Sequence, residues 1–115
     1  MNAAVSLHNP SQDLFDETLV NDIENRYCFS YVDHDMAQCE MRVSDDGICF
    51  FRRCPGHLLE LHLDTDSYAL ISTEEGKIKI DVKVVDFKKY SDILVMRYLI
   101  DDEERTITIK YYEEN

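Results

Sequence analysis

The chain has 115 residues, of which 44% are apolar and 31% charged, as is typical of a globular domain rather than a disordered chain. At this length we expect one domain over residues 1–115. The formal net charge of −12 at pH 7 would repel the phosphates of nucleic acids and of anionic membranes, so we expect neither as a partner. No apolar run approaches the roughly 20 residues of a transmembrane helix.

The first 25 residues allow two interpretations. Phe15, Leu19 and Ile23 recur at every fourth position, which suits a short helix that begins after Ser11. The same stretch could instead form a pair of edge strands, over residues 4–8 and 16–20. The pattern alone leaves both open.

From residue 26 onwards the sequence shows the alternation typical of β-strands. Apolar residues recur at every second position, and turn-forming residues separate the runs. The Asp46-Gly47 step between two such runs predicts a hairpin, because both central residues of a type I′ turn need positive φ. The strand-like runs are 26–33, 38–44, 48–53, 58–63, 67–73, 76–86, 92–100 and 105–112.

The run GKIKIDVKVVDF shows how these strands divide their two faces. Ile78, Ile80, Val82 and Val84 share one face and should point into an apolar interior, while the charged residues between them meet water. Most connections between runs are too short for a parallel crossover, so neighbouring strands should be antiparallel. We therefore predict an all-β meander of about eight strands closed into a barrel, with a two-sheet sandwich as the alternative.

Several motifs resemble those of the YwiB-like family, small bacterial proteins of unknown function. They are the strand pair CEMRVSDDGICFFRR with Arg52 near its end, the segment ISTEEGKIKIDVKVVDF with Thr73 and Gly76, and the strands LVMRYLI, with Tyr98, and TITIKY. The resemblance covers residues 26–112. It implies a calycin-like, or lipocalin-like, β-barrel in which 4–8 and 15–20 are strands, and it implies no activity.

Arg52 is one of two adjacent arginines at the end of an apolar run. It has the parity of Ile48 and Phe50, so if those residues face inward, Arg52 lies at the inner mouth of the barrel. A buried guanidinium is costly unless it is paired. Arg52 either closes the barrel end structurally or contacts an anionic ligand.

Four tyrosines are further candidates for ligand contacts, since they lie on strand faces that also carry Phe, Leu, Met or Ile. A tyrosine inside a barrel adds bulk and a hydroxyl that needs a partner, and ligand pockets combine apolar walls with a few polar groups. Core packing, with the hydroxyls reaching the rim, is the alternative. The predicted ligand-binding residues are Arg52, Tyr27, Tyr31, Tyr98 and Tyr111.

The histidines and cysteines do not predict a metal site or a cofactor. His57 and His62 would point to opposite faces of one strand, and structural zinc needs four convergent ligands, so Cys54 does not complete a site. His34, flanked by two aspartates, could act as a base, but no nucleophile is placed beside it by the sequence. We predict no catalytic residue.

The four cysteines, at positions 28, 39, 49 and 54, include no CxxC pair, and three of them lie in strand-like runs. That pattern predicts reduced, mostly buried thiols in a cytoplasmic protein. We expect a binding protein rather than an enzyme, with a small hydrophobic or amphipathic ligand in the barrel. The alternative is a protein-interaction module or homodimer that uses an outer apolar face with Ile93, Val95 and Leu99.

Overall fold

A computed structural model describes residues 1–113. The chain forms ten β-strands and one short 3₁₀ helix between β1 and β2. The strands are β1 (Asn2–Asn9), β2 (Leu14–Val20), β3 (Cys28–Val32), β4 (Gln38–Val43), β5 (Ile48–Cys54), β6 (His57–Leu63), β7 (Tyr68–Thr73), β8 (Gly76–Lys89), β9 (Ile93–Ile100) and β10 (Glu103–Tyr112), and the 3₁₀ helix is Pro10–Gln12.

All ten strands belong to one antiparallel sheet that curls into a nearly closed barrel. The order across the sheet is β2-β1-β10-β9-β8-β7-β6-β5-β4-β3, so the first and last strands of the chain are neighbours. The predicted all-β, antiparallel architecture is therefore confirmed. The prediction of about eight strands was too low: the eight runs after residue 26 became β3 to β10, and β1 and β2 were added.

The additional strands come from the N-terminal segment, for which the sequence left helix and strand open. A spacing of four residues is a multiple of the strand period of two, so it fits one face of a strand as well as one face of a helix. In the structure, Phe15 and Leu19 lie on the outer face of β2 and are 65% and 62% exposed. Pairing with β1 decided the conformation, since Ala3 pairs with Val20 and Val5 with Thr18.

The centre of the barrel is filled by the inward side chains of both halves of the sheet. Met41, Ile48, Leu63, Met96 and Ile107 are 0% exposed, which leaves them in contact with other side chains only. Packing of this kind is what stabilises a closed sheet, because each buried aliphatic side chain contributes roughly 1.5–3 kcal/mol.

β8 is long because its two halves pair with different neighbours. Residues 76–81 pair with β7, and residues 82–89 pair with β9. Val82 is buried, and Ile80 and Val84 pack against the core, as their inward parity predicts. Ile78 has the same parity but is 62% exposed, because the first half of β8 extends beyond the β9–β10 turn.

The β4–β5 and β9–β10 turns both contain residues with positive φ, but in different numbers. The predicted hairpin between β4 and β5 is present, closed by the amide of Ser44 donating to the carbonyl of Gly47 over 2.9 Å. Its central residues do not take the type I′ conformation, since only Gly47 has positive φ there. The β9–β10 turn does, with φ of 51° and 64° at Asp101 and Asp102, and aspartate is one of the few residues that tolerates these values.

All four cysteines are free thiols in the structure. Burial, followed by the nearby carboxylate of Asp33, raises the pKa of Cys39 to about 12. Burial and the carboxylate of Asp64 raise the pKa of Cys49 to about 11. Both thiols therefore stay protonated at neutral pH. No helix in residues 1–113 is long and apolar enough to cross a membrane.

These environments predict how the thiols react. A chromogenic disulfide reagent should titrate four thiols after unfolding without reductant. On the folded protein it should react first with Cys28, which is exposed, and slowest with Cys39, which is 3% exposed. Alkylation of single-cysteine variants followed by mass spectrometry measures the order. Loss of two thiols in the unfolded titration would show a disulfide and contradict both the structure and the cytoplasmic expectation.

Candidate functional site

The five predicted ligand contacts lie at three separate places in the barrel. Tyr31 and Arg52 lie on the inner face at the end that carries the β3–β4 and β5–β6 turns, with Cys39 between them in the cross-strand row. Tyr98 lies on the inner face of β9. Tyr27 and Tyr111 lie at the opposite end. The structure does not bring these side chains into one pocket, and their role in ligand binding stays a prediction.

Arg52 is held by two carboxylates of the β3–β4 turn. Its Nε donates to Oδ2 of Asp33 over 2.8 Å, and its Nη2 donates to Asp35 over 3.3 Å. The other oxygen of Asp33 accepts the backbone amides of Asp35 and Ala37. Burial disfavours ionisation of Asp33, but the hydrogen bond from Arg52 and those from the amides outweigh it and lower the pKa. This geometry matches a guanidinium that fixes a turn and closes the barrel end.

Tyr31 and Tyr98 are packed into the barrel wall. Burial raises the pKa of Tyr31 well above its usual value, and the nearby Cys39 and Asp33 add to the shift. Burial also raises the pKa of Tyr98 to about 12, although the guanidinium of Arg105 acts against it. Both phenols stay neutral at physiological pH, so they can donate a hydrogen bond but cannot serve as bases.

Tyr111 and Tyr27 lie at the end of the barrel where β1 begins and β10 ends. The hydroxyl of Tyr111 donates to the carbonyl of Arg26 over 2.7 Å, and the guanidinium of Arg26 lies 4.8 Å from the Tyr111 ring centre. Tyr27 is 54% exposed and packs under the ammonium of Lys89. A small cavity of roughly 170 Å³ lies between them. Tyr111 therefore ties the β2–β3 connection to the barrel.

Arg105 is an inward-facing cation that the sequence analysis missed. It pairs across the ladder with Tyr98, and its Nη2 lies 3.7 Å from Glu103. Among the side chains that the structure describes, its Nε is the one buried nitrogen or oxygen without a hydrogen-bond partner. The side chain as a whole is half-buried.

A concavity with a volume of roughly 650 Å³ lies on the outer face of β3 to β6. We call it the outer groove. Most of its residues come from strand positions that alternate with the buried ones and point away from the barrel core. Tyr31 and Cys39, which also line it, belong to the inner-facing row. The lining consists of Ser30, Tyr31, Val32, Gln38, Cys39, Glu40, Arg42, Phe51, Arg53, Leu58 and Glu60.

Some charged side chains of the outer groove have an ion-pair partner among the residues that the structure describes, and one does not. Arg42 forms an ion pair with Glu40 at 2.8 Å, and its guanidinium lies 4.9 Å from the Phe51 ring centre. Glu60 lies 3.5 Å from the imidazole of His62. The guanidinium of Arg53 makes no hydrogen bond or ion pair within the described part of the chain. Arg53 is thus the free cation of a surface that also presents Phe51 and other apolar atoms.

A cysteine and a histidine lie next to the outer groove. The thiol of Cys49 is 3.7 Å from Nδ1 of His62 and 3.5 Å from Asp64, and the His62 ring stacks on Tyr68 with centres 4.4 Å apart. A thiolate would be needed for nucleophilic chemistry. Because burial and Asp64 raise the pKa of Cys49 to about 11, the thiol is a weak nucleophile at neutral pH.

Metal ligands do not converge in residues 1–113: no group of three or more His, Cys, Asp or Glu side chains is arranged to hold an ion. Cys54 pairs with His57 at the β5–β6 hairpin, whereas His62 pairs with Cys49 farther along the strands. His57 and His62 lie on opposite faces of β6, as their spacing indicates.

The sequence analysis missed the outer groove because it looked for a site inside the barrel. A signal was available in two strands that carry apolar residues on both faces. Phe51 follows the buried Phe50 directly, and Leu58 has the opposite parity to Leu59 and Leu61. The outer residues Ile93, Val95 and Leu99, expected to form an interaction face on β9, are half-buried.

Comparison with models of protein families, with curated proteins and with solved structures finds no match for this chain. The candidate sites therefore rest on their own geometry.

Proposed function

We propose that the protein is a non-enzymatic binding protein and that its ligand is a small amphipathic anion held in the outer groove. The observation that carries the proposal is the free guanidinium of Arg53 beside the apolar side chains of Phe51 and Leu58. An arginine fork matches a carboxylate, sulfonate or phosphate in a bidentate geometry. The ligand would place this group on Arg53 and its apolar part over Phe51.

The size and charge of the outer groove support this ligand class. Its volume of roughly 650 Å³ lies within the range of about 300–1,000 Å³ that small-molecule sites occupy. Among the charged residues that line it, Arg42 and Arg53 balance Glu40 and Glu60 in number, and Arg42 forms an ion pair with Glu40. The groove is thus locally less negative than a surface with a net charge of −12.

Two observations favour the outer groove over the barrel interior as the binding site. The centre of the barrel is occupied by side chains that are 0% exposed, such as Met41 and Met96. Arg52, the inward cation expected to meet a ligand, already donates to Asp33 and Asp35. A ligand in the interior would have to displace these contacts.

Fluorescence titration with anilinonaphthalene sulfonate tests the proposal. This probe combines an anionic sulfonate with an aromatic body, and its emission rises in an apolar site. Arg53→Gln should weaken its binding about tenfold, since a hydrogen bond to a charged group contributes roughly 1.5–3 kcal/mol. Binding of the uncharged analogue N-phenylnaphthylamine should change little, because it has no group for Arg53.

Lys110→Gln is the matched control, since it makes the same charge change on the outer face of β10. Lys110 is exposed and is not part of the groove. Equal loss of sulfonate binding in both variants would mean that only net charge matters, and unchanged binding in Arg53→Gln would place the probe elsewhere. Either result overturns the groove as the anion site.

We propose that the barrel is calycin-like and that the chain is a relative of the YwiB-like proteins, which the matching motifs around Arg52, Thr73, Gly76 and Tyr98 support. A bacterial, cytoplasmic origin follows from that relationship and agrees with the four free thiols. Binding on an outer groove would distinguish this chain from a barrel that encloses its ligand.

A further inference from the structure

The barrel has a seam where its first and last strands in the sheet order, β2 and β3, do not pair. Every other neighbouring pair of strands forms a ladder. The carbonyl of Glu17 accepts a hydrogen bond from the side chain of His34, so it points away from β1 and into the seam. Because alternate residues of a strand point their backbone groups to the same side, Phe15 and Leu19 also direct theirs into the seam.

His34 takes the place that a neighbouring strand would have on this edge. Its Nε2 donates to the Glu17 carbonyl over 2.7 Å, and the same nitrogen lies 3.7 Å from a carboxylate oxygen of Asp16. His34 is on the exposed β3–β4 turn, and its side chain is 66% exposed. An exposed side chain on a turn can be displaced by a backbone amide that makes the same hydrogen bond.

Apolar side chains flank the seam on the outside. On β2, Phe15 and Leu19 are 65% and 62% exposed, with Glu17 between them on the same face. Across the seam, Val32 is 53% exposed and Met36 is 78% exposed. A strand added to β2 would cover Phe15 and Leu19 with the side chains at its own matching positions.

The charge of this region is strongly one-sided. Residues 1–41 contain eight acidic residues and one basic residue, a net charge of −7. Residues 42–115 contain sixteen acidic and eleven basic residues, a net charge of −5. The acidic side chains of residues 1–41 are Asp13, Asp16, Glu17, Asp22, Glu24, Asp33, Asp35 and Glu40. Asp33, Asp35 and Glu40 form ion pairs with Arg52 and Arg42. The negative charge left beside the seam is therefore that of residues 13–24, which contain five acidic residues and no basic one.

We propose that the β2 edge binds a basic, extended peptide segment of a partner protein, which adds to the sheet as a strand and displaces His34 from the Glu17 carbonyl. Backbone hydrogen bonds supply the general affinity in this mode of recognition, and alternate side chains supply the specificity. Opposite Phe15 and Leu19 the peptide would carry apolar residues. Opposite Asp16 and Glu17 it would carry lysine or arginine.

Charge also decides between a basic peptide and a second copy of this chain. Antiparallel pairing of two β2 edges would bring two copies of the Asp16-Glu17 pair together, and like charges on neighbouring strands are destabilising. A basic segment turns the same carboxylates into attractive contacts. No residue of β2 lines the outer groove, so this inference does not depend on that groove.

The test uses a fluorescein-labelled peptide of sequence KVTKKVK, designed to match residues 15–19 in antiparallel register. Fluorescence anisotropy at low salt should show saturable binding to the full chain, weakening as salt is added. An acidic version with Glu in place of each Lys should not bind. A version with Pro in place of both Val residues should bind roughly tenfold more weakly, because the amides of these residues face the β2 edge and proline lacks the amide donor.

Protein variants locate the site. Glu17→Pro removes the amide that faces the seam without removing a β1 ladder bond, so binding should fall roughly tenfold. Ser30→Pro makes the same change on the free edge of β3 and should leave binding unchanged. Phe15→Lys with Leu19→Lys, at two exposed positions, provides a second variant if Glu17→Pro fails to fold, and should abolish binding. His34→Ala should tighten binding, because it removes the competing hydrogen bond.

Equal binding of the basic and acidic peptides, unchanged binding in the β2 variants, or no binding of KVTKKVK would overturn the proposal. Weaker binding in His34→Ala would overturn the displacement of His34. Sedimentation of the protein alone tests whether a second copy of the chain occupies the β2 edge instead. A dimer that Phe15→Lys with Leu19→Lys dissociates would assign the β2 edge to a second copy and would also overturn the basic partner.

Discussion

Replacement of Gly47 by alanine is expected to destabilise the protein by about 2–4 kcal/mol, because Gly47 is buried in the β4–β5 turn against the end of β6. Gly47 has φ of +152°, a conformation that side chains rarely adopt. A Cβ added there would lie 1.9 Å from the carbonyl oxygen of Leu63 and 3.0 Å from Cα of Asp64. Both neighbours are backbone atoms, so the β4–β5 turn or the end of β6 must move.

Gly76→Ala is the matched control for the contribution of the clash. Gly76 has a similar φ of +138°, but a Cβ there would meet no atom within 4 Å. Backbone strain alone should cost about 1 kcal/mol in that variant. Urea unfolding of both variants measures the difference in the free energy of unfolding. Equal losses would mean that the approach of Leu63 to Gly47 is not a constraint on this turn.

Arg52→Met is expected to lower the free energy of unfolding by about 1–3 kcal/mol and the melting temperature by several degrees. Methionine keeps the aliphatic stem of the side chain but removes both donors to the β3–β4 turn. Asp33, whose side chain is 10% exposed, would keep its charge in a poorly solvated position without the guanidinium. Retained stability together with loss of a bound ligand would instead assign Arg52 to ligand binding.

The effect of Arg52→Met should depend on pH in a defined direction. The pKa of Asp33 in the folded protein lies below its ordinary value, so its ionisation stabilises the fold above an unfolded pKa of about 3.9. That contribution disappears as the pH falls through the lower, folded pKa. The stability difference between wild type and Arg52→Met should therefore be full near neutral pH and shrink in acid.

Arg97→Met serves as the control for this prediction. Arg97 forms an ion pair with Glu104 on the outer face of the sheet, where the two side chains are 44% and 41% exposed. Exposed ion pairs contribute about 0–1 kcal/mol, so this variant should cost less than Arg52→Met. Thermal unfolding of both variants over a range of pH provides the comparison. A larger loss in Arg97→Met would contradict the structural role of Arg52.

The local sequence pattern determined most of the strands. From residue 26 onwards, every alternating run became a strand, because alternation places apolar side chains on one face whatever strand lies beside it. The run around Ile80 and Val82 indicated its inner face correctly for the same reason. The turn at Gly47 was also predictable, since glycine adopts positive φ without strain. Its type was not, because the conformation depends on how β4 and β5 align.

Tertiary structure decided what local pattern could not. Phe15 and Leu19 fit a helix and a strand equally well, and pairing with β1 selected the strand. The parity of Arg52 predicted its inward position. Its partners Asp33 and Asp35 lie in the β3–β4 turn, and this pairing became visible only in the folded chain. The local sequence pattern carries no information about contacts between residues so far apart in the chain.

The two candidate binding surfaces also depend on the folded sheet. The outer groove brings together Phe51, Arg53 and Leu58 from two neighbouring strands, although each of them lies at an ordinary outward position. The seam exists because the sheet stops one ladder short of closure, which no single strand specifies. The sequence by itself determined which residues form strands and which faces are apolar. Long-range pairing decided where the barrel stays open, because unpaired edges are a property of the whole sheet.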